Sequence, residues 1–192
     1  MITKKDLRLT LREETAKHSA EEQNICSQAI CIGLAAQEVW RNAKTILFYM
    51  PIAGEPDIWP LAAQACKSGK TIALPRYTGG EDPYHVRQVR DLTQDLECGQ
   101  FGIMEPSDAC PILDVKLLDF VLVPGIGFGP EGQRLGRGKG YYDRLLAKAL
   151  GIKCGVAFDW QITASIPTES HDVFVNCIVT PTLWLQVESQ RV

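Results

Sequence analysis

From Phe120 to Val123 every position is apolar, a run of strand length that Pro124 stops. Beyond Gly140 the apolar residues space out to Tyr142, Leu145, Leu146, Ala149 and Leu150, one helical face that Gly151 ends. Short runs and helical stripes alternate through the rest of the chain. Thr3 can cap a first helix in which Leu7 and Leu11 lie one turn apart, while Lys4 and Arg8 form a second stripe. Ser19 and Glu22 have the spacing of a capping box. Ile25, Ala29, Ile32, Ala36 and Val39 then follow in steps of four and three, the expected core face of a second helix. A strand over Thr45 to Met50, a helix over Asp57 to Lys67 and a strand over Thr71 to Leu74 make a βαβ unit, whose right-handed crossover implies a parallel sheet.

Tyr84 to Val89 alternates as an edge strand after a turn at Gly79-Gly80-Glu81-Asp82-Pro83. The stretch from Gln94 to Pro111, interrupted by Gly99, Gly102 and Pro106, reads as an irregular loop and a candidate lid, and Val156 to Phe158 and Val175 to Val179 read as the last strands. The pattern predicts α/β architecture in a single domain over residues 1–192, with two N-terminal helices. Its sheet is mostly parallel, twisted and flanked by helices, with about five to seven strands.

Composition narrows the function classes. A net charge of −3 gives no global field for nucleic acid or an anionic membrane. No run of about 18 apolar residues and no apolar leader core appears, so a cytoplasmic monomer with small-molecule partners is expected. The seven cysteines have no CxxC spacing and read as reduced, mostly buried thiols. The three histidines sit beside no G-x-S-x-G elbow, which argues against acyl-enzyme hydrolysis.

Candidate chemistry gathers between Pro124 and the helix that Gly140 opens. Glycines at 125, 127, 129, 132, 136 and 138 let backbone N–H groups curl around an anion, and the following helix start adds free N–H groups and partial positive charge. Arg134, Arg137 and Lys139 alternate with Gly136, Gly138 and Gly140, so three cations surround this cradle. It is not a P-loop: Gln133 stands where the leading glycine belongs, and Gly140 rather than Ser or Thr follows Lys139. Gly127 to Gly132 satisfies GxGxxG, but the helix begins too late for a dinucleotide fold.

The string Arg134-Leu135-Gly136-Arg137-Gly138-Lys139-Gly140-Tyr141-Tyr142-Asp143, after Val123-Pro124-Gly125 and Phe128, resembles the signature of the 5-formyltetrahydrofolate cyclo-ligase family. That family is also called 5,10-methenyltetrahydrofolate synthetase. Lys4-Lys5-Asp6-Leu7-Arg8, Tyr49-Met50-Pro51-Ile52-Ala53-Gly54-Glu55, Gly102-Ile103-Met104-Glu105-Pro106 and His171-Asp172 are similar to its other landmarks, in the same order. The chain departs from the pattern at Gly129, where an acidic residue commonly follows the Phe, and between Tyr77 and Pro111 little aligns.

The resemblance implies ATP- and Mg²⁺-dependent conversion of 5-formyltetrahydrofolate to 5,10-methenyltetrahydrofolate, with Lys139, Arg137 and Tyr142 catalytic. It implies that Lys4, Arg8, Arg134, Leu135, Gly136, Arg137, Gly138, Lys139, Gly140, Tyr141 and Tyr142 bind ATP. Arg8, Met50, Glu55, Gly138 and Tyr142 would hold the folate, and Asp143 and Asp172 the metal. From the residues alone, Lys4 and Arg8 also fit a solvated face, Glu55 a loop carboxylate, and Tyr141 and Tyr142 core aromatics. Asp143 likewise fits a helix-start charge or a partner of Arg144, and His171-Asp172 a turn. A sugar-phosphate isomerase on a similar fold and a folate- or nucleotide-binding protein without turnover remain alternatives.

Overall fold

In the computed structural model, which describes residues 2–80 and 83–187, the chain begins with α1 (Lys4–Ala16). Thr3 and Asp6 cap it reciprocally, side chain to backbone in both directions. After α2 (Ala20–Ala35) and the short α3 (Glu38–Asn42) come β1 (Thr45–Leu47), α4 (Trp59–Lys67), β2 (Thr71–Tyr77) and β3 (Tyr84–Val89). A small hairpin of β4 (Leu96–Cys98) and β5 (Met104–Pro106) precedes β6 (Phe120–Pro124). Two-residue strands β7 (Gly127–Phe128) and β8 (Arg134–Leu135) pair within the glycine-rich segment. The chain continues through α5 (Tyr141–Lys148), β9 (Ile152–Val156), β10 (Cys177–Val179) and β11 (Trp184–Gln186).

Seven strands form one sheet in the order β11-β10-β9-β6-β1-β2-β3. The five inner strands run parallel, and β3 and β11 close the edges antiparallel. The apolar run at Phe120 sits at its centre because both faces there are covered. Phe120 and Leu122 pack with α2, α3 and α4, while Val121 and Val123 pack with Leu145 and Leu146 of α5 and with Ala149 just after it. The expected α/β sheet flanked by helices is therefore present, and no helix among the described residues is long and apolar enough to cross a membrane.

Several local expectations need correction. The core face of α2 carries Ser27, Ile30 and Leu34; Ile25 and Ile32 are 61% and 74% exposed. Both stripes have helical spacing, and tertiary contacts choose between them: Ser27 Oγ accepts the Asp57 N–H at 3.0 Å, a contact no local pattern announces. Val39 belongs to α3, not to α2, and at Ser19 only the forward half of the capping box forms. Leu150 is 76% exposed because α5 ends at Lys148 and Ala149 turns extended. The helix after β1 starts at Trp59, with Asp57 Oδ1 accepting its N–H at 2.9 Å. The strand expected over Val156 to Phe158 lies earlier, at β9. The stretch from Gln94 to Pro111 is not irregular throughout but holds the β4–β5 hairpin, and β11 was not foreseen. The turn at Gly79 to Pro83 has Glu81 and Asp82 outside the described residues. All seven cysteines are free, but only Cys110, Cys154 and Cys177 are fully buried.

The reassigned face of α2 is testable. Leu34→Ala should cost about 2–5 kcal/mol, as a fully buried leucine does, whereas Ile32→Ser should change stability by less than about 0.5 kcal/mol. Urea midpoints at constant m-value would measure both, and equal losses would contradict the assignment.

Candidate active site

In a parallel sheet the loops leaving the strand C-terminal ends share one edge, and at neighbouring strands they can build one site. β1 and β6 are neighbours. The loop after β1 carries Met50 and Glu55, and the loop after β6 carries the glycines and cations up to Gly140. Between them opens a cleft of about 920 Å³, its walls completed by the N-terminal turns of α1, by Tyr84, by Phe101 to Glu105 of the β4–β5 hairpin, and by Glu169 to Asp172. Lys4, Arg8, Met50, Glu55, Asp172 and the whole stretch from Arg134 to Asp143 line it. The structure thus brings to one place every site residue that the resemblance implied, but of the six cradle glycines Gly127, Gly129 and Gly132 do not line the cleft, because they belong to the β7–β8 hairpin and its turn.

α1 reaches the cleft because Leu7 and Leu11 pack into a small apolar cluster with Ile126, Leu135 and Ile166. This turns the Lys4 and Arg8 stripe inward, so the solvated-face reading does not hold. Arg8 Nε donates to the Gly136 carbonyl at 2.8 Å, and a side chain on Gly138 would touch the Arg8 guanidinium at 3.4 Å. Gly138 and Gly140 have φ of 97° and 64°, which other residues rarely adopt. Leu135 is buried in the cluster, so it braces the loop through packing.

Charges lining the cleft are arranged in pairs. Arg137 holds Glu55 Oε1 at 2.9 Å, Arg134 holds Asp143 Oδ2 at 3.1 Å, and Lys4 holds Asp172 Oδ2 at 2.7 Å with Glu169 at 3.5 Å. Asp143 therefore pairs with Arg134 rather than with Arg144. Burial raises the Glu55 carboxyl above its ordinary range; the Arg137 charge and hydrogen bonds oppose this without overcoming it. Asp172 is held below the usual carboxylate range, because its bonds from Lys4 and the Glu169 N–H outweigh burial. Arg8 and Lys139 have no carboxylate partner among the described residues. Arg8 leans on a backbone carbonyl, and the Lys139 ammonium rests over the Phe101 and Tyr141 rings at 4.8 and 5.8 Å.

Aromatic residues cluster beside the cations. Tyr141 meets Tyr77 and Tyr84 at 5.7 and 6.3 Å, and Tyr142 packs against Tyr84 under the Arg134 guanidinium. The Tyr142 hydroxyl is buried with no hydrogen-bond partner among the described residues, a costly state for a donor, and burial drives its pKa well above the ordinary tyrosine value. Unpaired cations, positive-φ glycines and one orphaned hydroxyl suit a polyanion lying along a flat aromatic ligand. Asp143 and Asp172 stand at the cleft wall, yet among the described residues no three His, Cys, Asp or Glu side chains converge as a metal cage. Such a donor set suits an ion that arrives with phosphate oxygens already in its shell.

The sequence had placed Tyr84 only as an edge-strand residue, and it named neither Phe101 nor Gln161. Phe101 sits in the segment that resembled little. Gln161 could not be picked out locally, since beyond the Phe158 N–H in its own turn its partners Gly54 and Gly125 lie 107 and 36 residues away.

The 5-formyltetrahydrofolate cyclo-ligase family model matches residues 1–181. A 5-formyltetrahydrofolate cyclo-ligase from Mus musculus is 30% identical over 187 residues, covering 90% of this chain and 91% of the other. Its counterpart from Escherichia coli K12 is 31% identical over 179 residues, covering 89% and 96%. The NMR structure of Aquifex aeolicus 5,10-methenyltetrahydrofolate synthetase superposes with a TM-score of 0.89 at 33% identity, covering 100% of this chain and 96% of that one. A synthetase from Mycoplasma pneumoniae, at 22% identity and a TM-score of 0.74, shares the fold. Because the match spans every wall of the cleft, from α1 to the Glu169–Asp172 segment, the chain belongs to the 5-formyltetrahydrofolate cyclo-ligase family.

Proposed function

We propose that this chain converts 5-formyltetrahydrofolate to 5,10-methenyltetrahydrofolate with ATP as phosphoryl donor and Mg²⁺ as its counter-ion, releasing ADP and phosphate. Family membership supports the cyclo-ligase reading. The observation that carries the ATP requirement is the cradle itself, in which Arg134, Arg137 and Lys139 surround glycine backbone at one end of an aromatic cleft. The chemistry asks for such a site. An N-formyl group is an amide, and its oxygen leaves poorly. Transfer of the γ-phosphoryl group forms a P–O bond to that oxygen and frees ADP. Attack by N10 then forms the second C–N bond, the C–O bond breaks, phosphate departs and the N10 proton is lost. For both steps the protein mainly aligns reactants and neutralises charge.

In this reading Lys139, Arg137, Arg8 and Lys4 hold the phosphates, and the Gly136 to Gly140 backbone approaches them closely. The folate head lies beside Glu55, Met50 and the tyrosines, where the Tyr142 hydroxyl finds its missing partner. Asp143 and Asp172 are the carboxylates that would hold Mg²⁺, which would supply charge neutralisation to the phosphates. The Glu55–Arg137 pair then acts as a resting clasp: arriving phosphate takes Arg137 and leaves Glu55 to the folate.

Lys139→Ala should keep its melting temperature, since the ammonium touches only ring faces, and lose about 10²- to 10³-fold in kcat. A normal rate in that variant would remove Lys139 from the phosphate site. Glu55→Gln should weaken folate binding while leaving ATP affinity equal or higher, because Arg137 is released from its carboxylate. Isothermal titration with each ligand separates this from a loop defect, which would weaken both.

Asp143→Asn tests the metal. The amide can still accept from Arg134 but leaves that buried guanidinium without a counter-charge, so stability should fall by up to about 3–5 kcal/mol and rates are compared at a temperature where melting curves show both proteins folded. It is a poor Mg²⁺ ligand, so half-maximal rate should require far more Mg²⁺. Superimposable Mg²⁺ titrations of the two proteins would make Asp143 a partner of Arg134 only.

A further inference from the structure

Three neighbouring strands, β9, β6 and β1, deliver loops to the cleft edge, and one buried side chain touches all three. Gln161 closes the short 3₁₀ turn Asp159–Gln161 after β9 and is 2% exposed. Its Oε1 accepts the Phe158 N–H at 2.9 Å within its own loop. Its Nε2 donates to the Gly54 carbonyl at 3.2 Å in the loop after β1 and reaches the Gly125 carbonyl at 3.5 Å in the loop after β6. Gly54 immediately precedes Glu55. Gly125 immediately follows Pro124, whose carbonyl accepts from Arg134 at 3.1 Å. The Gln161 backbone belongs to the same junction, for a side chain on Gly127 would come within 3.2 Å of its carbonyl oxygen.

We infer that Gln161 is a positioning residue that sets the distance between the Glu55 loop and the cationic glycine loop. It rests on the proposed function, in which those loops hold the folate and the triphosphate. Each loop has its own anchors: the Tyr49 hydroxyl donates to the Pro56 carbonyl on one side, and the Arg134–Asp143 pair braces the other. What neither loop fixes alone is its offset from its neighbour. Phosphoryl transfer depends on that offset, because a misplacement of about 1 Å between reacting atoms can cost about 10²-fold in rate. An amide suits the task as no other side chain of its size does, since one end must accept from an N–H and the other must donate to two carbonyls. Gln161 does not line the cleft and is not a catalytic residue.

Gln161→Glu keeps the shape and the acceptor but, when ionised, turns a donor into a charge facing two carbonyl oxygens. When protonated, the introduced carboxyl regains one O–H donor. The expected result is a kcat about 30- to 100-fold below wild type at pH 8, with the separately measured dissociation constants for ATP and for 5-formyltetrahydrofolate changed less than about threefold. The ratio of variant to wild-type kcat should recover several-fold toward pH 5.5, because burial raises the introduced carboxyl's pKa. Gln161→Met, which can neither accept nor donate there, should show the same loss with no recovery. Melting temperatures across the pH range report whether either protein is unfolding. A kcat ratio near one at pH 8, or one that stays low at every pH with both dissociation constants weakened in proportion, overturns the inference. A wild-type protein that binds both ligands and yields no methenyl product overturns the proposed function beneath it, and the inference with it.

Discussion

The cleft depends first on the docking of α1. Leu7 and Leu11 enter a five-residue apolar cluster with Ile126, Leu135 and Ile166, and Leu11 passes so close to Gly127 that any side chain there would collide with it. A helix held by this contact can present only one other face to the site, the face of Lys4 and Arg8. Arg8 then meets the Gly136 carbonyl, and Lys4 draws in Asp172 from the far end of the chain. One small hydrophobic contact thereby sets the direction of two cations and the position of two loops.

Around that frame the protein holds its charges against one another. Three cation–carboxylate pairs line the cleft, with the Glu55 carboxylate 8% exposed and the Arg134 guanidinium 5%. Such pairs avoid the penalty of isolated buried charge, and they can be exchanged when a ligand of like charge arrives. In the function proposed above, a triphosphate would replace Glu55 and Asp143 as the partner of the arginines, and the released carboxylates would turn to the folate and the metal.

Legibility followed sequence distance. The α1 stripe could be read because its leucines and cations repeat within two turns, and β6 because four apolar residues in a row fit little else. The glycine loop declared itself through alternating residue types. The core face of α2 could not be read, because two apolar stripes compete and contacts with other elements choose between them. The Glu55–Arg137 pair joins residues 82 apart, and the span from Gln161 to Gly54 is longer still, so their partners emerge only with the fold. The resemblance to a family located most of the cleft. It could not show which charges pair or that Leu135 serves by packing.

The most direct test mixes the protein with Mg²⁺ and 5-formyltetrahydrofolate and follows near-ultraviolet absorbance, since closing the methenyl bridge extends conjugation, while phosphate is measured in parallel. The account predicts no change without ATP and, on adding ATP, one phosphate released for each methenyl bridge formed. Product formation without ATP, or ATP hydrolysis without the absorbance rise, would contradict it.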